Sequence, residues 1–392
     1  MTRICELPGK EFLFRYYIHD PWWINTPWYD RYDGQPYDVY LPMSVSRIDE
    51  NGKAQSAEDF HILSIDNTYG DMPDNCVNEP LPHILKAEKD SPDEPAPFVW
   101  IYPMREYTTA DSVEMLSEMY YGDNFICDAI NGGLPLNCVV STDNFIKTQD
   151  DVYQKSVLIC PLPLSEAVKD KLVRLSNEGI PVIVYGSNDA LKDIKNDHFR
   201  AVSVNTSPNA ILEALEDSGY SIRYETKAET LKPPTMTASR SDNALWFNVY
   251  NSNTTSDTLL KFPLGAPILN CGETEIENGY ARYRFSRSEH RECRAFIKQE
   301  SGVISAREGI SANVVYRRKM VLRGLKDATV YLFPEKGCEQ ICAVSDGSIG
   351  LDRTPVFLDG FELVRDEKHG TYLKGEHITG DIFFLMEKKK HS

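Results

Sequence analysis

An α/β layer followed by an antiparallel all-β region is what this 392-residue sequence predicts. Three observations carry it. From residue 98 onward, short unbroken apolar runs alternate with amphipathic helical segments, as expected of strands covered on both faces. Beyond residue 240 the helical segments give way to short strands separated by Gly and Pro turns. Residues 1–95, by contrast, are rich in aromatics, Asp and Pro and keep no steady period, so they read as an irregular N-terminal segment.

Within that segment a strand is expected over 39–48, with a turn at Glu50-Asn51-Gly52. An apolar run covers 60–65, and a short helix covers 82–89. In the α/β region (96–230) the strand candidates are 98–102, 136–141, 156–160, 181–185, 200–204 and 221–225. Between them, 111–121 and 124–130 form the first crossover, stopped by Gly132-Gly133. Leu164, Val168, Leu172 and Leu175 share one helix face, with Ser165 at its start and Gly179 at its end. Ser207-Pro208 opens a further helix carrying Ile211 and Leu215. Repeated βα units of this kind predict a three-layer, doubly wound, Rossmann-like domain.

Residues 232–241 hold Pro, Thr and Ser with little to bury and read as a linker. The β region (240–392) then offers strands at 244–251, 258–262, 279–285, 295–299, 314–323, 328–333, 361–365 and 381–386. Alternation is strict in Ala281-Arg282-Tyr283-Arg284-Phe285, so one face packs and the other meets solvent. A β-sandwich is expected, with a small extra β unit after about residue 345.

Composition narrows the function. A formal charge of −17 argues against nucleic acid and against an anionic membrane surface, and suits a neutral ligand such as a sugar. The nine cysteines include no CxxC pair, so no structural zinc or other metal site is expected. Cys138 and Cys160 sit inside apolar runs as small hydrophobes, which fits reduced thiols in a cytoplasm. The start, MTRICELPGKEF, has no apolar leader core, and no run approaches the ~18 apolar residues of a membrane span. Pro103-Met104-Arg105-Glu106 after the first strand is not a glycine-rich phosphate cradle, so no nucleotide cofactor is expected.

Three stretches then carry a family resemblance: Ser156-Val157-Leu158-Ile159-Cys160-Pro161, the helix over 166–175, and Glu178-Gly179-Ile180-Pro181-Val182-Ile183-Val184. With the first strand Val99-Trp100-Ile101-Tyr102 and its crossover, residues 97–225 resemble the trimerisation domain of family-42 β-galactosidases. That domain is a Rossmann-like fold related to class-I glutamine amidotransferases. The family ends the equivalent stretch in a Gly-Gly pair, where this chain reads Gly179-Ile180. In those enzymes a catalytic (β/α)₈ barrel precedes the domain and a β-sandwich follows it. Such a barrel takes about 250 residues, whereas 95 precede the α/β region here.

The resemblance therefore implies the C-terminal part of a glycoside-hydrolase-like protein, truncated or separately encoded. Its N-terminal segment would be a barrel remnant or a replacement, and a separate catalytic-barrel chain would be a partner. It also implies a homo-oligomer, a trimer if the family's assembly carries over. The amidotransferase relation carries no activity, because a nucleophile elbow needs Gly-x-Cys-x-Gly and Cys160 lies between Ile159 and Pro161.

Three functions stay open: an accessory, oligomerising or carbohydrate-contacting component; an active β-galactosidase-like glycosidase; and a stand-alone sugar-binding module. For the glycosidase, Glu79 in Asn78-Glu79-Pro80 is the candidate acid, its other reading being a helix-start carboxylate. Asp66, with Arg47, is the second candidate, although Asp66-Asn67-Thr68-Tyr69-Gly70 is also a plain turn sequence. Asp20 and Asp30 complete that carboxylate set.

For sugar binding, Trp22, Trp23 and Trp28 offer stacking faces, with Asp20, Asp30, Asp33 and Arg31 for hydroxyls. Their other reading is interface filler against the α/β layer. His61 and His83 lie beside apolar residues as core histidines, and Asp143-Asn144 sits at a strand's carboxyl end. The basic run Arg282, Arg284, Arg287, Arg291 and Arg294 reads as a solvated sheet face with cross-strand ion pairs.

Overall fold

The computed structural model describes residues 1, 4–5, 13–17, 39–63, 78, 80–192, 194, 199–226, 233–250, 256–309, 318–344 and 360–388, and the statements below concern these. The N-terminal segment supplies β1 (Leu13–Tyr17), α1 (Tyr40–Met43), β2 (Ser46–Ile48), β3 (Ala54–Gln55), β4 (Asp59–Leu63) and α2 (Pro80–Lys89). β1 and β4 pair in parallel as a two-stranded sheet. The strand expected over 39–48 is instead α1 followed by the short β2. Pro42 explains the change, since it brings no N–H to a ladder and fits the first turn of a helix.

The α/β region follows as β5 (Phe98–Tyr102), α3 (Met104–Thr108), α4 (Val113–Asn131), β6 (Cys138–Ser141), α5 (Thr142–Lys147), β7 (Val157–Pro161), α6 (Glu166–Asn177), β8 (Val182–Gly186), α7 (Asn188–Lys192), β9 (Phe199–Ser203) and α8 (Ala210–Glu216). Its seven-stranded sheet has the order β3-β2-β6-β5-β7-β8-β9, parallel except for β3. The winding reverses between β5 and β7.

Successive residues of these strands enter two separate cores, which is why their sequences are continuously apolar. Phe98, Trp100, Ile159, Ile183 and Tyr185 meet Phe125 and Ile126 of α4 and Ile211 and Leu215 of α8. Val99, Ile101, Cys138, Leu158, Cys160 and Val184 meet Phe145 of α5 and Val168, Leu172 and Leu175 of α6. Gly179, at φ +88°, turns the chain out of α6 in a conformation that glycine adopts without strain.

The remaining strands are β10 (Ser221–Thr226), β11 (Thr235–Ser241), β12 (Ala244–Tyr250), β13 (Ser256–Lys261), β14 (Ala266–Leu269), β15 (Gly272–Glu277), β16 (Tyr280–Arg284), β17 (Glu289–Lys298), β18 (Ser301–Gly309), β19 (Arg318–Leu332), β20 (Cys338–Val344), β21 (Phe361–Asp366) and β22 (Gly370–Lys388). They form one 13-stranded antiparallel sheet that curls around the core it shares with α4 and α8. Long β19 carries β17 and β18 on one edge and β22 on the other. β21 and β20 both join β22.

Two expectations are corrected here. Residues 221–225 do not continue the parallel sheet, because β10 pairs antiparallel with β13. Its burial alternates, with Ile222 inside and Arg223 and Glu225 exposed, as a one-sided strand requires. Residues 235–241 are not linker, because β11 pairs along its whole length with β12. Met236 and Ala238 enter the core, and the Thr237 hydroxyl is hydrogen-bonded, so the Thr- and Ser-rich run does bury.

A stacked histidine fastens the N-terminal helices to this sheet. Ser44 Oγ donates to the Leu41 carbonyl (2.7 Å), so Thr237 Oγ1 donates to Ser44 (2.7 Å) and accepts from Asn248 Nδ2 (3.0 Å). Asn248 Oδ1 is thereby turned toward His290 Nδ1. His290 Nε2 meets Asp90 Oδ2 at 3.0 Å, and the ring lies flat between Tyr40 (3.7 Å) and Trp246 (4.6 Å). No helix of the described chain is long and apolar enough to cross a membrane.

Candidate functional site

A cavity of about 350 Å³ opens where the amino ends of β7 and β8 meet the curled sheet. Turns and strand ends supply the sides: Gly179 and Pro181 after α6, Asp217, Ser218 and Tyr220 after α8, Arg240 at the end of β11, Asn243 in the next turn with Ala244 and Leu245 at the start of β12, and Phe262–Leu264 between β13 and β14. Lys368 and His369, in the turn between β21 and β22, complete the rim. The turn residues among them are free of ladder pairing, so their side chains can converge on one space held by rigid sheets.

The inner wall is aromatic. Tyr220 packs edge-on against Phe262 (5.1 Å), Phe262 neighbours Phe296 (6.2 Å), and Phe296 meets Phe333 edge-on (5.9 Å). The rim is charged. Glu94 accepts from Lys155 Nζ (3.0 Å) and pairs with Lys336 Nζ (2.8 Å), which also reaches Asp93 (2.8 Å). Burial raises the Glu94 pKa, but Lys155 and Lys336 more than offset it and hold the carboxyl at about 2. Arg240 donates to the carbonyls of Pro95 (2.8 Å) and Lys155 (2.6 Å), which fixes its guanidinium at the cavity edge. Burial pushes the His369 imidazole below its ordinary value, and the Lys368 and Lys155 ammonium groups act in the same direction against Asp366.

A cleft with several aromatic side chains and a few convergent polar groups, set between two structural layers, has the form of a small-molecule site. The chemistry on offer is holding. Of the two carboxylates in the lining, Glu94 stays ionised between two lysines, and Asp217 pairs with Arg200 (2.9 Å). A glycosidase acid needs the opposite environment, one that keeps its proton near neutral pH. Among the described residues, no group of three or more His, Cys, Asp or Glu is placed to hold a metal ion.

Asp20, Trp22, Trp23, Trp28, Asp30, Arg31, Asp33, Asp66 and Glu79 lie outside the described residues. Arg47 is buried and donates to Gln55 Oε1 (3.2 Å) and to the Ile4 carbonyl (3.3 Å), a structural role. His61 is exposed on β4, so it is not a core histidine, while half-buried His83 lies edge-on to Tyr40 (6.0 Å). Among the described residues β4 pairs only with β1. Asp143 is paired with Arg105, and Asn144 Nδ2 donates to the Ile48 carbonyl (3.3 Å).

Arg282 and Arg284 do form the expected solvated ion pairs, with Glu225, Asp257 and Glu277. Arg294 of the same run is fully buried, which corrects that expectation for it. Its position past the strictly alternating stretch, in β17 at the middle of the sheet, accounts for the difference.

No family model matches the chain, and no curated protein does. Among solved structures, similar chains include an apo exo-carrageenase GH42 from Bacteroides ovatus, at 11% identity and a TM-score of 0.33 over 61% of this chain and 37% of that one. These similar structures are glycoside hydrolases. A second is Gan42B, a GH42 β-galactosidase, at 10% identity and a TM-score of 0.25 over 97% of this chain and 60% of that one. A third is the catalytic module of a family 98 glycoside hydrolase from Streptococcus pneumoniae TIGR4, at 10% identity and a TM-score of 0.26 over 94% and 59%. The chain spans less than two thirds of each of them. Likeness at this level carries no argument about fold or function.

Proposed function

We propose that this chain is a glycoside-hydrolase-associated component that binds a saccharide without cleaving it, and that the cavity between the two sheets is the binding site. The observation that carries the proposal is the wall of Tyr220, Phe262, Phe296 and Phe333 facing a hydrogen-bonding rim. Pyranose rings present apolar C–H faces to such aromatics and hydroxyls to such a rim. The resemblance of residues 97–225 to a trimerisation domain supports the same class. The reversal of winding at β5 and β7 supports a Rossmann-like domain there. Hydrolysis then belongs to a separate catalytic barrel, and buried free thiols at Cys138 and Cys160 support a reducing, cytoplasmic setting.

Titration calorimetry with a panel of mono- and disaccharides tests the site. Binding is expected for the unaltered chain and is expected to vanish in Leu264→Trp, whose indole fills the cavity from a half-buried position. Binding that survives Leu264→Trp, or no binding across the panel, overturns the site. Turnover of aryl glycosides that Glu79→Gln or Asp66→Asn abolishes would replace the accessory role with a glycosidase.

One feature favours self-association as a second role. Val113, Leu116 and Tyr120 stand along one face of α4 at helical spacing, with Tyr121 beside them, and all are exposed, Val113 to 77% and Tyr120 to 66%. An apolar stripe of this kind marks an interaction surface. Light scattering coupled to gel filtration is expected to show an oligomer that Leu116→Asp with Tyr120→Asp reduces to monomers. A monomeric unaltered chain removes this role.

A further inference from the structure

We infer that the saccharide taken by the cavity is acidic, carrying a carboxylate or sulfate that Arg240 and Lys368 receive. The inference rests on the saccharide reading above and deepens it.

Charge accounting within the lining leads there. Lys155 and Lys336 are both consumed by Glu94, and Asp93 takes a second contact from Lys336. Asp217 is consumed by Arg200. Asp366, behind the rim, already accepts from the His369 amide and from Tyr372 Oη (2.8 Å). Two cations are left over. The guanidinium of Arg240 donates to the neutral carbonyls of Pro95 and Lys155 and to the Tyr220 hydroxyl, and it forms no ion pair of its own, since Glu94, the acid that attracts it, is already bridged by two lysines. Lys368 has no carboxylate within ion-pair distance among the described residues, and its side chain stands exposed at the mouth.

A chain with a formal charge of −17 has acids in plenty to neutralise surplus cations. Two cations without an ion pair of their own among the described residues, beside an aromatic wall in such a chain, are therefore informative. Both line the same cavity, Arg240 from the end of β11 and Lys368 from the β21–β22 turn. A ring resting on the phenyl groups would bring a ring substituent to that edge. Half-buried Arg240 gains from a partner that arrives with its own negative charge because the local dielectric is low, and exposed Lys368 adds an attraction that salt screens.

The test is calorimetry on the full chain with galactose, galacturonate, galactose 6-sulfate and inorganic sulfate, at two salt concentrations. The expected result is that both acidic sugars bind at least about tenfold tighter than galactose, a difference of roughly 1.4 kcal/mol, and that added salt narrows the gap. Lys368→Gln is expected to bring the acidic-to-neutral ratio down to within a factor of about two. Equal affinity for acidic and neutral sugars overturns this inference while leaving the saccharide site standing. No binding by any sugar overturns both. Sulfate alone binding as tightly as the sulfated sugar would show an anion site that does not read the ring, and would also overturn it.

Discussion

Arg294→Ala is expected to destabilise the protein by about 3–5 kcal/mol, the range for removing one partner of a buried ion pair. Arg294 is 1% exposed. Its Nε donates to Glu292 Oε1 (2.6 Å), and its two terminal nitrogens hold the carbonyl (2.8 Å) and carboxylate (3.1 Å) of Asp242. Glu292 is itself buried and accepts from Asn270 Nδ2 (2.7 Å). Truncating the arginine takes its Nε donor away from buried Glu292 and frees the β11–β12 turn, where Asp242 and Asn243 both hold positive φ. Arg284, exposed and paired with Asp257, is the control, and Arg284→Ala should leave the unfolding midpoint close to that of the unaltered chain, because solvent screens the pair. Urea unfolding midpoints measure both. A small loss at Arg294 would mean that Glu292 finds another partner or takes up a proton.

That contrast shows what was legible in the sequence. Arg282, Arg284 and Arg294 look alike in a row of residues, and only the strict alternation around 281–285 marks the first two as solvent-facing. The burial of Arg294 depends on β12, β14 and β19 flanking β17, a set of pairings at long sequence separation. The α/β layer was readable for the opposite reason. Runs such as Val157–Pro161 and Val182–Gly186 are apolar at every position because both faces are covered, and that signal is local. The order of the strands, and the capture of β2 beside β6, are not local.

The candidate site was the least legible part. Its wall draws on Tyr220, Phe262, Phe296 and Phe333 from four separate turns and strands, and none carries a motif. Arg240 lay in a run read as linker, because Thr and Ser in a strand look like Thr and Ser in a loop until pairing is known. A single arginine ending a Thr- and Ser-rich strand next to an Asp242-Asn243 turn was the available signal.

The second large effect is on acid stability. Glu94 falls from an ordinary 4.5 to about 2 in the folded protein, where burial is outweighed by Lys155 and Lys336. The folded state therefore binds fewer protons than the unfolded state between those two values. Its stabilising contribution is complete above about pH 4.5 and is lost as the pH falls toward 2, amounting to roughly 3 kcal/mol. Glu94→Gln removes the titration, so its stability should change less across that span, from a lower starting point at neutral pH. Chemical denaturation at several pH values between 2 and 6 measures the two slopes. Parallel slopes would mean that Glu94 does not hold its charge against the two lysines.

The most direct test of the central claim is a crystal structure of the chain grown with galacturonate. The cavity account predicts the sugar ring against Phe296 and Phe333, with its carboxylate at Arg240 and Lys368. A sugar bound at the N-terminal tryptophans instead, with the cavity empty, would contradict it.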